Sequence, residues 1–341
     1  SSIVNRQSSI PLPPSPTIPL PGTWSEFTGK HPEGGIFQSP EMYDFWSRTE
    51  GHEPLVVWTT DGTGRMTGLL AGVVIREGSG LKGRLSARAV VTGGPLAEGD
   101  DPAIAGELLD AWDRLASRKA LYTQFRNLRD MGALRAVFTA RGYCYEPHLN
   151  YLTDLSPDEE TLWQRVQPRR RNEIRKALKE GVTVAEAAPG DNIHGPLREL
   201  YERIRLPLPG PGFFETAREQ LGPAGLYRAF GAYLGGKLIG TMIVLCYGNR
   251  VTNWYAGSYR EHYGSNPNDL LPWEVMRWAK RNGYRVFDFG GAGHPAKPYG
   301  VRDYKAKFGG EEVCYGRYEK IHHPVLYRIA RAGFRAWQLM S

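Results

Sequence analysis

Residues 236–240 (GKLIG) lead into the apolar run that ends at Tyr247, and residues 64–68 (GRMTG) lead into an earlier apolar run in the same way. In each half of the chain, turn residues separate strand-like segments, and a segment with helical spacing and a further strand follow. Because the order of segments and several residues recur together, the sequence predicts duplication of one α/β unit. Coincidence of common turn chemistry is the alternative.

The predicted segments have the same order in both halves. In the first half, strands are predicted at residues 54–58, 66–76, 85–92 and 121–126, with a helix at 104–119. In the second half, strands are predicted at residues 227–234, 238–247, 251–259 and 285–289, with a helix at 270–281. Between the halves lie predicted helices at 158–166 and 169–180, and Ile174 and Leu178 of the latter should face the core.

Length and composition limit the class of protein. A chain of 341 residues exceeds one ordinary hydrophobic core, so two domains are expected. The net charge of +7 favours anionic partners such as nucleic acid, phosphorylated metabolites or lipid, although it also serves solubility. The three cysteines are far apart, which argues against a disulfide framework or a zinc site. No apolar run reaches the ~18 residues that cross a bilayer, and residues 1–23 read as a flexible Pro-rich leader.

The strongest electrostatic feature is the predicted helix that starts after Pro168. Its cationic residues are Arg169, Arg170, Arg171, Arg175, Lys176 and Lys179. Cations at this density repel one another unless an anion lies nearby, and arginine forks match phosphate geometry. We interpret the helix as a phosphate-binding surface. A solvated face with Glu173 and Glu180 as local partners is the alternative.

Two segments near the C-terminus carry residues that could perform chemistry. Residues 287–293 (FDFGGAG) end a predicted strand, and Gly290 and Gly291 would let the backbone approach a ligand or form an anion nest. Within residues 299–310, Lys305 could stabilise an oxyanion as a fixed cation, with Tyr304 beside it. An ordinary turn and a surface lysine are the alternatives.

Several of these motifs, taken in order, resemble the Fem (FemABX) family. Residues 169–177 (RRRNEIRKA) resemble its arginine-rich helix, 267–274 (PNDLLPWE) its helix start, and 288–291 with 304–309 its C-terminal motifs. Residues 38–40 and 93–95 match weaker motifs, so the resemblance covers about residues 24–320. It implies an α/β (α+β) fold of two tandem GNAT-like acyltransferase domains, residues 24–150 with 315–341 and residues 151–314.

The resemblance implies a cytoplasmic aminoacyltransferase that moves an amino acid from aminoacyl-tRNA to the amine of a peptidoglycan-precursor stem peptide. The precursor would be UDP-linked or lipid-linked, and no cofactor, metal or DNA is expected. The lysine that matches Lys305 is thought to stabilise the reacting ester, and Tyr255 matches an aromatic family position, so both are predicted catalytic residues. The predicted substrate-binding residues are Arg169, Arg170, Arg171, Arg175, Arg205, Gly290, Gly291 and Tyr304.

Departures from the family pattern leave alternatives open. Trp46 stands where many members carry a lysine, so a different acceptor remains open. An acyl-CoA N-acyltransferase would carry a pyrophosphate loop before a helix, but residues 260–266 (REHYGSN) lack its spacing. A non-catalytic tRNA- or polysaccharide-binding module is the other alternative.

Residues 324–341 show apolar positions at helical spacing, with Arg328, Arg331 and Arg335 off the apolar stripe. We expect this terminal helix to return to the first domain and dock on the core. The alternative is a helix lying on the inner face of the membrane, suited to a lipid-linked acceptor.

Overall fold

The computed structural model describes the backbone of residues 21–340 and the side chains of residues 22–333. Its strands are β1 (His52–Thr60), β2 (Met66–Ile75), β3 (Arg88–Thr92), β4 (Leu96–Ala97), β5 (Tyr122–Arg126), β6 (Cys144–Glu146), β7 (Leu149–Asp154), β8 (Thr183–Glu186), β9 (Tyr227–Leu234), β10 (Lys237–Tyr247), β11 (Arg250–Ser258), β12 (Val286–Gly291), β13 (Glu311–Cys314) and β14 (Arg317–Ile321). Its helices are α1 (Pro21–Lys30), α2 (Pro40–Ser47), α3 (Gly80–Ser86), α4 (Pro102–Ala116), α5 (Arg135–Ala140), α6 (Glu159–Arg165), α7 (Pro168–Lys179), α8 (His194–Arg203), α9 (Pro211–Leu221), α10 (Pro267–Arg281), α11 (Gly300–Ala306) and α12 (Pro324–Met340).

The strands form two seven-stranded sheets. The first has the order β1-β2-β3-β5-β14-β6, with β4 paired to β2, and the second has the order β13-β7-β12-β11-β10-β9-β8. Each sheet contains one parallel pair joined by a helix: β3 and β5 through α4, and β11 and β12 through α10. The predicted α/β class with two units of related topology is therefore confirmed.

Helical spacing of apolar residues explains how α4 and α10 cover the sheets. Leu108 and Trp112 of α4 are buried against Phe125 of β5. Leu271 and Val275 of α10 are buried in the second core. Both cores are built from the apolar strands and the helices packed on them, α4 with α5 in the first and α10 with α6 and α7 in the second, as a layered domain requires.

A third apolar cluster connects the N-terminal helices with the second sheet. Phe45 of α2 packs edge-to-face on Phe213 of α9, with ring centroids 5.2 Å apart. Trp46 stacks on His52 at 5.0 Å and lies near Trp254 of β11. Aromatic contacts of this kind bury large areas, so α2 helps to fix the first sheet against the second.

Three sequence expectations differ from the structure. Residues 85–92 do not form one strand: α3 occupies Gly80–Ser86, and the Ser86 hydroxyl accepts from the backbone N–H of Glu77 at 2.8 Å. Leu178 was expected in the core but is 52% exposed, because Ile174 and Ala177 form the buried face of α7. Pro21 to Thr23 belong to α1, and the rest of the predicted leader lies outside the described residues.

The first turns of α12 are not docked on a core. Val325 is 70% exposed and Ile329 is 54% exposed, whereas Tyr327 contacts the ring of Tyr122 in the first sheet at 5.2 Å. The expectation of a core-docked helix is therefore wrong for the described part. Trp337 and Met340 of the apolar stripe lie beyond the described side chains.

Candidate active site

Lys305 lies in the last turn of α11 with its side chain directed at the end of β12. Its ammonium donates to the carbonyl oxygens of Phe289 at 2.5 Å and Gly291 at 2.8 Å. The residue is only 8% exposed, and burial lowers the pKa of Lys305 to about 8 against the opposing effect of Asp288. Two of its three N–H groups are thus fixed, and one remains for another acceptor.

Gly290 gives the backbone the shape that presents these two carbonyls. Its φ of 73° lies in the left-handed region, which glycine adopts without strain. Its N–H donates to Asp288 Oδ1 at 2.7 Å, so this amide is not free for the predicted anion nest. The turn at Gly290 therefore orients Lys305 through the carbonyl groups of Phe289 and Gly291, and Gly291 remains exposed.

Asp288 is fully buried beneath this turn. Arg250 Nη1 lies 3.4 Å from Asp288 Oδ2, while burial raises the pKa of Asp288 and Arg250 opposes the rise. Both carboxylate oxygens therefore have partners in the protein. Asp303 is exposed on α11.

The second sheet opens beside this lysine. Strands β11 and β12 pair in parallel only over Arg250–Val286, Val251–Phe287 and Thr252–Asp288. The register of β11 against β10 also shifts at this point, between Asn253 and Tyr255. Ligands of open α/β sheets bind at the carboxyl ends of such parallel strands, so the opening is a natural substrate entrance.

The predicted catalytic Tyr255 lies farther along β11. It is packed among aromatic rings, with Phe214 at 5.1 Å and Tyr201 at 6.1 Å between centroids, and burial raises its pKa. The backbone oxygen of Asn253, rather than Tyr255, lies against Gly290. Tyr255 is therefore packed in an aromatic cluster and has no described contact with Lys305.

Tyr304 contacts the first turn of α10. Its hydroxyl donates to the carbonyl oxygen of Asn268 at 2.5 Å. Pro272 has no N–H, so the carbonyl four residues before it in α10 lacks its helical partner, and Tyr304 supplies one. This contact makes Tyr304 a structural partner of α10.

The cationic residues of α7 divide into two groups. Arg170 turns inward, pairs with the buried Asp269 at the start of α10, and lies over the Tyr304 ring at 5.1 Å. It thus does not belong to the exposed basic face. That face consists of Arg169, Arg175, Lys176 and Lys179, while Arg171 is half-buried and donates to Gln164.

Arg205 is exposed on the loop after α8 and has a φ of 53°. It lines a cleft of about 1370 Å³, together with Arg88, Tyr122, Tyr201 and Tyr327. The cleft therefore runs between the first sheet, α8 and α12. Arg205 lies on this surface, apart from the exposed basic face of α7.

Three residues near Lys305 were missed in the sequence. Arg126 and Arg317 are direct partners on the antiparallel strands β5 and β14, and Arg317 Nη2 lies 2.9 Å from His148 Nε2. Arg126 could have been noticed because it ends a predicted strand, and the end of a parallel strand is a position that favours ligand contact. No sequence signal identified Arg317 or His148, since strand pairing between distant segments brings them together.

The described residues contain no group of three or more His, Cys, Asp or Glu side chains that could hold a metal ion. His322 and His323 have separate partners, Thr123 Oγ1 at 2.8 Å and the carbonyl oxygen of Ser117 at 2.6 Å. Among the described helices, none is both long and apolar enough to cross a bilayer.

Comparisons with known proteins agree with this architecture. Residues 168–306 match the family model described as acetyltransferase (GNAT) domain. The structure of FemX is similar with a TM-score of 0.72 at 14% identity, covering 92% of this chain and 98% of that one. A tandem GNAT protein from the clavulanic acid biosynthesis pathway is similar with a TM-score of 0.60 at 16% identity, covering 89% and 94%.

L-PGS from Bacillus licheniformis is also similar, with a TM-score of 0.54 at 18% identity over 93% of this chain and 97% of that one. The search of curated proteins finds no match. At these identities the likeness concerns the fold. The chain thus has a tandem GNAT fold, with the acetyltransferase (GNAT) domain match in its second half.

Proposed function

We propose that this protein is an aminoacyltransferase that moves an amino acid from aminoacyl-tRNA to the amine of a peptidoglycan-precursor stem peptide. The observation that carries the proposal is the buried Lys305 ammonium, held by two carbonyl groups where β11 and β12 separate. The shared fold with FemX over nearly the full length of both chains supports the same class of reaction.

The chemistry needs little more than positioning and one cation. The neutral acceptor amine attacks the ester carbon of the aminoacyl group, and the former carbonyl oxygen becomes negative in the tetrahedral intermediate. The remaining N–H of Lys305 stabilises that oxygen. The bond to the ribose oxygen then breaks, and the amine proton leaves to that oxygen or to water.

The starts of two helices argue against a CoA donor. A pyrophosphate bound at a helix N-terminus needs free backbone N–H groups and no competing acid. At α10 the buried Asp269 occupies the first turn and pairs with Arg170. At α4 the Asp101 carboxylate accepts from the N–H of Ala103 at 2.7 Å. Carboxylates thus occupy both positions, which favours a donor without pyrophosphate.

The exposed basic face of α7 supplies a surface for the tRNA backbone. Lys176 donates to the carbonyl oxygen of Gly264 at 3.1 Å and lies 3.8 Å from Glu180, while Arg175 donates to the side-chain oxygen of Asn172, so one carboxylate faces four cations. Arginine and lysine side chains on one helix face bind phosphates without reading sequence. We assign binding of the donor tRNA to this face, because α7 belongs to the same domain as Lys305.

We assign binding of the acceptor to the large cleft between α8 and α12, which Arg205 lines. Trp46 is stacked on His52 and carries no charge, so it does not replace the lysine that many members of the Fem family carry at this position. A lipid-linked precursor suits this arrangement, because apolar residues of α3 and α12 also line the cleft.

The surface of α3 and α12 would then rest on an anionic bilayer. Leu81 is 70% exposed, as is Val325, and the exposed cations Lys82, Arg84 and Arg328 lie on the same two helices. Apolar side chains bracketed by cations are typical of helices that lie in the interface of anionic membranes.

A transfer assay tests the proposal. The protein is incubated with tRNA charged with labelled amino acids and with UDP-linked or lipid-linked stem-peptide precursor, and in parallel with labelled acetyl-CoA. We expect label on the precursor only from aminoacyl-tRNA, and only with Lys305 intact. Transfer from acetyl-CoA alone would support the acyl-CoA alternative, and tRNA binding without transfer would support a binding module.

A further inference from the structure

We propose that Arg126 and Arg317 together bind an anionic oxygen group, a phosphate or a carboxylate, of a substrate held beside Lys305. Neither residue belongs to the motifs that the sequence identified. The existence of the anion site follows from the structure, whereas the identity of its ligand rests on the proposed function.

The two arginines form a like-charge pair across neighbouring strands. Their Cα atoms are partners in the antiparallel register of β5 and β14, so both side chains project from the same face of the first sheet. Like charges directly opposite each other destabilise a sheet unless an anion lies between them. Such an arrangement indicates a function that outweighs its effect on stability.

No acidic side chain among residues 22–333 forms an ion pair with either arginine. Glu146 lies opposite Arg317 on the other neighbouring strand, but no salt bridge between the two is found among the described residues. Glu319 accepts hydrogen bonds from Tyr327 and Gln124 instead. Burial and then Arg126 lower the pKa of Arg317 to about 10, and the nearby Glu146 and Glu319 oppose this shift without forming an ion pair with it.

The donors of Arg317 are only partly used. Nη2 donates to His148 Nε2 at 2.9 Å, and Nε is buried without a described partner. Burial, then Arg317 and Arg126, lower the pKa of His148 to about 4, so at neutral pH the imidazole is neutral and accepts this bond. His148 thus orients the guanidinium without cancelling its charge.

Arg126 is the last residue of β5. Its side chain is exposed to solvent, yet surrounding protein and the neighbouring Arg88 lower its pKa. Gln124 Oε1 accepts from Arg126 Nε at 3.0 Å, which leaves the terminal nitrogens free of described partners. A guanidinium in this setting presents a fork that matches a phosphate or carboxylate.

Gly291 connects the arginine pair with Lys305. Its carbonyl oxygen accepts from Lys305 at 2.8 Å. A Cβ placed on Gly291 would lie 3.0 Å from His148 Nε2 and 3.9 Å from Arg317 Nη2. The exposed Gly291 therefore lies between the Lys305 ammonium and the Arg317 guanidinium, so one ligand can contact both cations.

Two sources of the anion fit the proposed reaction. One is the phosphate that precedes the terminal nucleoside of the tRNA donor, and the other is a carboxylate of the acceptor peptide. Both present oxygen atoms that accept from paired guanidinium groups. Substrate pairs that differ only in this group distinguish the two sources.

The first measurement is binding of inorganic phosphate and of acetate by calorimetry. Arg126→Gln and Arg317→Gln are compared with wild type and with Arg114→Gln, which changes an exposed arginine on the outer side of α4. We expect each anion-site variant to weaken binding of at least one anion by about tenfold, as loss of a charge-assisted bond would. Unchanged binding in both variants, or no saturable binding to wild type, would overturn the proposal.

Thermal unfolding separates binding from a structural role. Removing one of two opposed like charges relieves repulsion, so Arg126→Gln should melt at the wild-type temperature or higher. A lower melting temperature for both variants, with unchanged anion binding, would make the pair structural. These two measurements need no transfer activity, so failure of the proposed function leaves them interpretable.

Transfer kinetics then identify the source of the anion. Aminoacylated adenosine is compared with its 5′-phosphorylated form as donor, and a peptide acid with its amide as acceptor. In wild type the anionic member of one pair should have the lower KM, and Arg317→Gln should abolish that preference. If Arg317→Gln keeps the wild-type preference in both substrate pairs, the anion that this site binds does not belong to a substrate.

Discussion

At the scale of single residues, Lys305 shows how burial gives one side chain its chemistry. A buried ammonium is stable only with acceptors, and Phe289 and Gly291 provide two carbonyl oxygens within 2.8 Å. The residue type was identified from the sequence because Lys305 follows a glycine-rich strand end. Its burial and its two acceptors could not be identified from the sequence, since they depend on how α11 packs against β12.

The first prediction concerns the pH dependence of transfer. Since the cationic form of Lys305 is required and its pKa is about 8, the rate should decline as the pH rises above about 8. Lys305→Arg should lose this decline, because arginine stays protonated throughout this range. Single-turnover rates from pH 6.5 to 9.5, about 1.5 units on either side of that pKa, provide the measurement. If Lys305→Arg shows the same alkaline decline, the decline comes from a group other than Lys305.

The free energy of unfolding should also depend on pH because of the titration of Lys305. The pKa of Lys305 lies below its ordinary value of 10.5, so between about 8 and 10.5 the unfolded chain binds more protons than the folded one. Stability relative to Lys305→Met should therefore rise with pH across this window and be lowest below it. Denaturant unfolding of the two proteins at several pH values checks the sign.

At the scale of elements, α10 depends on a side chain from outside the helix. Pro272 leaves the carbonyl of Asn268 without its helical donor, and Tyr304 of α11 replaces it. The sequence contains both residues, but their connection could not be predicted because it requires the relative placement of two helices. The structure thus adds a contact with α10 to the predicted role of Tyr304, and its contact with substrate stays a prediction.

A double-mutant cycle tests this connection. Tyr304→Phe should lower the free energy of unfolding by about 1–3 kcal/mol, the usual cost of an unsatisfied buried acceptor. In a Pro272→Ala background the alanine N–H can bond to Asn268, so the same change should cost little. Urea unfolding of the four proteins gives the coupling. Equal costs in both backgrounds would show that the proline is unrelated to Tyr304.

The cationic helix α7 was predicted correctly as a helix, but its arginines are not equivalent. Amphipathic spacing assigns Ile174 to the core, whereas only the distant Asp269 explains why Arg170 turns inward. A sequence pattern identifies a basic helix and cannot identify a partner from another segment. Arg169 and Arg175 remain on the exposed basic face.

Changes in these arginines should affect different properties. Arg169→Gln should weaken tRNA binding and reduce the slope of log affinity against log salt by about one, as loss of one phosphate contact does. Arg170→Gln should instead lower stability by about 3–5 kcal/mol, because it leaves a buried carboxylate unpaired. Filter binding and urea unfolding measure the two effects. A salt-independent affinity of wild type for tRNA would contradict the basic-face assignment.

At the scale of the whole molecule, the repeated order of strands and helix was sufficient to predict two α/β units. Periodicity and turn residues carry that information locally, and both seven-stranded sheets follow it. The arginine pair lies outside this prediction, because β14 is added to the first sheet from the far end of the chain. Sites built across such long-range pairings have no local signature.

From the exposed apolar and cationic residues of α3 and α12, we predict that the protein contacts membranes. Liposomes that contain anionic phospholipid should carry the protein upward in a flotation gradient, and neutral liposomes should do so much less. Val325→Ser with Ile329→Ser should reduce flotation without changing tRNA binding, because both side chains are exposed. If the double variant floats as well as wild type, α12 is not the contact surface.

The central claim is that the Lys305 ammonium stabilises the transition state of aminoacyl transfer. Lys305→Met should lower the single-turnover rate by ~10²–10³, the usual effect of losing one oxyanion donor, while the Kd of the acceptor stays close to that of wild type. Lys307→Met, which changes a lysine just beyond α11, is the matched control and should leave the rate unchanged. A Lys305→Met variant with the wild-type transfer rate and a much weaker acceptor Kd would make the lysine a substrate anchor and contradict the claim.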